Sequence, residues 1–101
     1  MNQAHLMAQV KKMQAEMAKA QEELATTVVT GSAAGGRVTV EMTCDQRVKS
    51  VKIAKEAIDP DDAETLEDLV LVAFNDAITK ANETSQARMG GVTGGLKIPG
   101  F

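Results

Sequence analysis

Apolar residues change their spacing twice along this chain, and that limits the folds open to it. Leu6, Val10, Met13, Met17, Ala20 and Leu24 alternate steps of four and three, a heptad seam. Such a seam marks one side of an α-helix, predicted over about residues 2–25 with Asn2 as its cap. Between Arg37 and Cys44 the period drops to two. Val38, Val40, Met42 and Cys44 are expected to face inward, and Thr39, Glu41 and Thr43 outward. Leu66, Leu69, Val70, Ala73, Phe74, Ala77, Ile78 and Ala81 then return to helical spacing.

The segments between these stretches complete the order. Thr26 to Thr30 is β-branched throughout and reads as a strand. Ser32 to Gly36 reads as a turn. Asp45-Gln46 reads as a two-residue hairpin turn, although Gln46 is poorly suited to a positive φ. Arg47 to Ala54 is a third strand with Val51 and Ile53 on one face. Val48 is out of step with them, which predicts a bulge near Lys49-Ser50. The second helix has its start written out: Asp59 as N-cap and Pro60 at the first helical position. Asp61, Asp62 and Glu64 would lie against the positive end of its dipole. It should run to about Arg88, because the glycine-rich stretch from Met89 to Phe101 cannot continue it.

The expected fold is therefore α+β, ordered α-β-β-β-α, with a three-stranded antiparallel meander and two long terminal helices. Residues 1–89 would form one domain, and 90–101 a glycine-rich C-terminal tail. Helices of this length extend roughly 35–40 Å, beyond the ~17–20 Å of a typical strand. They must overhang the sheet, and a second copy of the chain best explains an overhanging apolar seam. Leu6, Val10, Met13, Met17, Leu24, Leu66, Leu69, Val70 and Phe74 are assigned to core or dimer packing.

Composition narrows the function. The 101 residues carry a net charge of -3, with no Trp or Tyr and a single Cys. Residues 1–55 hold eight Lys/Arg against five Asp/Glu, whereas 56–83 hold one against nine. Overall acidity thus hides basic regions, and local clustering decides affinity for a polyanion. A lone Cys allows no intrachain disulfide and suits a reducing cytoplasm, the expected location. No apolar run is long enough for a membrane span, and no membrane partner is expected.

Catalysis finds no support. His5 is the only His, and nothing places a base beside Cys44. The acids from Asp59 to Asp68 lack the spacing and central Gly of a calcium loop. The tail glycines do not bridge a strand and a helix, so no phosphate-binding fingerprint is present. No catalytic residue, metal, cofactor or small-molecule substrate is expected. The candidates with a functional claim are basic: Lys11, Lys12 and Lys19 outside the first seam, Arg47, Lys49 and Lys52 along the third strand, then Arg88 and Lys97.

Several motifs fall in a specific order. Gly35-Gly36-x-Val38-x-Val40 opens the middle strand, and Ile53 precedes Asp59. Leu66-Glu67-Asp68-Leu69 and Ala73-x-Asn75-Asp76-Ala77-x-x-Lys80 sit in the second helix. Met89, a Gly-Gly pair and a Pro-Gly-Phe ending follow. Together these resemble the YbaB/EbfC family of bacterial nucleoid-associated proteins. The resemblance implies a tweezer-like homodimer whose paired helices project from a joined β core. It implies binding to double-stranded DNA without strict sequence requirement, in nucleoid organisation and gene regulation. On that reading the eight basic residues above contact DNA. Lacking Trp, Tyr and any recognition-helix or zinc spacing, the chain would grip phosphates rather than read or stack bases. The alternative is a protein-interaction or assembly module that uses the apolar helix seams and the tail.

Overall fold

The computed structural model describes residues 3–93. Helix α1 (Gln3–Thr26) leads into strand β1 (Val28–Ala33), then β2 (Val38–Thr43), β3 (Val48–Ile53) and helix α2 (Ala63–Thr93). The strands form one antiparallel sheet in the order β1-β2-β3. The expected α-β-β-β-α order is the observed one. The molecule is drawn out, with a radius of gyration of 19.4 Å and a long axis of 71 Å. A compact chain of this size would have a radius near ~13 Å.

Alternation in β2 works as anticipated from Val38 to Met42. Val38 and Val40 are fully buried, and Met42 and Cys44 nearly so. Ala73, Ala77 and Ala81 of α2 lie with Val38, Val40 and Met42 in one core cluster and have no exposure. Small residues at these positions let the helix axis approach the sheet closely. Val29, Leu66, Leu69, Val70, Phe74 and Ile78 pack around this centre, half-buried. Val51 and Ile53 pair with Val40 and Val38 and so share the inner face. The expected bulge is present: Glu41 pairs with Ser50 and Met42 with Val48, leaving Lys49 as the extra residue.

Five local expectations are corrected. Strand β1 runs through Ser32 and Ala33, where a turn was expected, and the turn is Ala34–Gly36 with a 3-10 fold. Gly31 lies inside β1 because α2 leaves no room: a Cβ there would sit 2.3 Å from Ala73 O and Ala77 N. Helix α2 begins at Ala63, not at Pro60. Asp59 instead closes a turn, accepting from Asp61 N–H through its side chain at 2.9 Å and from Asp62 N–H through its carbonyl at 3.0 Å. Pro60 takes the second position of that turn, which its fixed φ suits. Asp62 is the cap, accepting from Thr65 N–H at 3.3 Å and from the Thr65 hydroxyl at 2.6 Å.

The other end of α2 lies at Thr93, past the predicted stop near Arg88, so the helix passes through Gly90 and Gly91. Each glycine costs about 1 kcal/mol there relative to Ala. The β2–β3 connection has three residues rather than two: Thr43 N–H donates to Arg47 O at 2.8 Å, and Gln46 N–H to Thr43 O at 2.8 Å. Gln46 carries the positive φ, 66°, that such a loop requires. Its side chain donates to Asn82 Oδ1 of α2 at 2.6 Å, which ties the loop down. Thr43, expected outside, is buried. Its hydroxyl accepts from Arg47 N–H at 3.1 Å and donates to Asp45.

Candidate nucleic-acid interface

The cations reach the surface from three elements. Lys11, Lys12 and Lys19 project from α1, all exposed. Arg47 stands at the end of the β2–β3 loop. Lys49 and Lys52 follow on β3, Lys49 thrown outward by the bulge and Lys52 on the outer face beside Thr39. Among the described residues none of these six holds an ion pair. Arg88, on α2, does: its Nε donates to Glu23 Oε2 of α1 at 2.8 Å. Lys97 lies outside the described residues.

Helix α1 is fixed at its root and open along most of its length. Ala20 and Leu24 are buried, and Met13 and Met17 half-buried. Cys44 N–H donates to both Leu24 O (3.1 Å) and Thr27 O (2.9 Å), which pins the end of α1 to the β2–β3 loop. The Thr26 and Thr27 hydroxyls donate to Glu23 O and satisfy a carbonyl at the helix end. Leu6 and Val10, assigned by pattern to packing, are 48% and 40% exposed. The lysines therefore stand on an arm that one end of the sheet aims.

Residues that pattern reading missed hold α2 in place. Asp76 Oδ2 accepts the Ser32 N–H at 2.9 Å, and Lys80 Nζ donates to Thr30 O at 3.0 Å and pairs with Asp76 at 3.2 Å. The hydrogen bond from Ser32, then the Lys80 ammonium, holds the Asp76 carboxyl below its ordinary value. Lys80 is thereby occupied as a strut. The motif Asp76-x-x-x-Lys80 could have signalled an ion pair, but not its attachment to a strand edge.

With α2 lying over β1 and β2, an apolar face is left at β3. Val48, Val51 and Ile53 are 47%, 43% and 39% exposed, and Leu71 of α2 is 60% exposed. An open cavity of about 590 Å³ lies alongside, lined by Ala63, Leu66, Glu67, Val70, Leu71 and Phe74. Phe74 and its neighbours are thus only partly used by the monomer.

Residues 1–96 match the YbaB/EbfC DNA-binding family. The chain belongs to that family. Its relatives include a nucleoid-associated protein of Chloroflexus aurantiacus, 52% identical over 97 residues, spanning 96% of this chain and 97% of that one. Another, from Roseiflexus sp., is 48% identical over 101 residues and covers both chains fully. A crystal structure of an uncharacterized protein from Helicobacter pylori shares the fold with a TM-score of 0.74 at 21% identity, covering 86% of this chain and 91% of that one. The YbaB/EbfC family is described by DNA binding, not by a reaction. Among the described residues no cluster of metal-ligating side chains occurs, and no helix is long and apolar enough to cross a membrane.

Proposed function

We propose that this chain is a nucleoid-associated protein that acts as a homodimer on double-stranded DNA. It would contact mainly phosphates, with little sequence specificity, and serve nucleoid organisation and gene regulation in the bacterial cytoplasm. The observation that carries the reading is the set of exposed, unpaired cations in a member of a DNA-binding family: Lys11, Lys12 and Lys19 on the α1 arm, with Arg47, Lys49 and Lys52 at β3. Neutralising about six phosphates would make affinity fall roughly 10³-fold between 50 and 200 mM salt. A titration on two unrelated duplexes tests this. Flat salt dependence, or strong preference for one duplex, would sink the phosphate mechanism.

Support for the homodimer comes from the uncovered face at β3 and α2. Val48, Val51 and Ile53 of β3 and Leu71 of α2 are exposed apolar side chains, the kind of surface that favours association. Leu71 also lines the cavity on α2. Joining two copies there would leave both arms free and double the cations presented. A second reading, an assembly module, draws on the exposed Leu6, Met7 and Val10 of α1. It predicts capture of a protein partner that survives nuclease treatment, with no mobility shift on duplex DNA.

A further inference from the structure

Lys12, Glu16, Lys19 and Glu23 follow one another on α1 at steps of four, three and four. They share one face of the helix, cation alternating with anion. Arg88 of α2 reaches this stripe from the side and donates Nε to Glu23 Oε2 at 2.8 Å. The two residues are 65 positions apart in sequence, and both side chains keep open surface, 36% for Arg88 and 46% for Glu23. Glu23 is held below its ordinary value first by the Arg88 hydrogen bond, and Arg88 is raised in return.

We propose that Glu23 is a built-in competitor for DNA phosphate at Arg88, setting how many cations the α1–α2 junction presents. The proposal rests on the phosphate-contact reading above. A guanidinium has five N–H donors, and Arg88 uses one on Glu23. The others have no partner among the described residues, so a phosphate can approach from the open side. Arg88 can form a bidentate pair with phosphate as well as with carboxylate. While paired it adds no net charge, and the stripe of Lys12, Glu16, Lys19, Glu23 and Arg88 sums to +1, where it would be +2 without Glu23. Exchange of Glu23 for a phosphate needs only the breaking of an exposed ion pair, which is inexpensive. Counterion release counts each phosphate neutralised, so the exchange is readable as a change in salt slope.

The test measures duplex affinity between 50 and 200 mM salt for the full chain and four variants. Glu23→Gln removes the competitor. Glu22→Gln makes the same change in net charge one residue away, at a glutamate with no ion pair among the described residues, and serves as the control. Arg88→Ala and the double variant with Glu23→Gln complete a cycle. Glu23→Gln is expected to tighten binding at 50 mM salt and to steepen the log–log slope by about 0.9 for each Arg88 freed. That corresponds to about 3-fold more affinity lost across the range. Glu22→Gln should change the slope by much less, and Glu23→Gln should have no such effect when Arg88 is absent. Weaker binding by Glu23→Gln, an unchanged slope, or the same gain in the Arg88→Ala background overturns the competitor role. A wild-type chain whose binding ignores salt overturns the phosphate reading itself.

Discussion

The backbone N–H of Ser32 donates to Asp76 Oδ2 at 2.9 Å, joining the outer edge of β1 to the middle of α2. Lys80 completes the clasp on Thr30 O. In an antiparallel pair, alternate residues of an edge strand turn their polar groups outward. Thr30 and Ser32 are such residues, and α2 meets both with charged side chains. A bare strand edge invites pairing with other chains. This one is occupied, so β3 is the edge left available.

The clasp should show in acid. The Asp76 carboxyl has a lowered pKa in the folded chain, so the unfolded state takes up its proton first. The stability it supplies is fully present above the ordinary value of 3.8 and is lost as pH falls from there through the lowered folded value. Asp76→Asn should therefore be less stable than wild type at pH 7, with the gap closing below pH 3.8. Urea unfolding at pH 7 and pH 3 checks this. An equal gap at both pH values would remove the clasp from the account.

Gly31→Ala tests the close approach of α2. The added methyl would stand 2.3 Å from two backbone atoms, and backbone cannot rotate aside. We expect a loss of about 1–3 kcal/mol, seen as a melting point lowered by about 4–8 °C per kcal/mol. An unchanged melting point would mean that the helix and strand are farther apart than described.

Leu71→Glu addresses assembly. Leu71 is 60% exposed, so the monomer fold should change by no more than about 0.5 kcal/mol. Sedimentation at micromolar concentration should show dimer for the wild type and monomer for the variant. A variant that stays dimeric would place the interface elsewhere.

For DNA, Lys12→Ala combined with Lys19→Ala should flatten the salt slope by about 0.9 per contact removed, alike on unrelated sequences. Loss confined to one sequence would instead indicate base readout.

How much of this was legible in the sequence depends on distance along the chain. The β2 alternation and the Lys49 bulge were readable because each follows from neighbours two residues away. The start of α2 was not, since Asp59 and Asp62 are both competent caps and the Asp59-Pro60 pair also suits a turn. Gly31 looks locally like the beginning of a loop. Its reason for being glycine is Ala73 and Ala77, more than forty residues on. The candidate cations were legible as residue types, and six of them are exposed without an ion pair. The pairing of Arg88 was invisible because it is set by how α1 and α2 cross.

Helix α2 is one unbroken rod from the apolar cavity at Leu66, over the Gly31 contact, to Arg88 beside α1. It has no joint along that path. A pull on its far end must bend the rod or work it against the strand beneath, with Gly31 as the fulcrum. Load taken up at the arm is thus delivered to the sheet and to the face beside β3. On the proposed reading, grip on DNA at one end and cohesion between copies at the other would be mechanically in series.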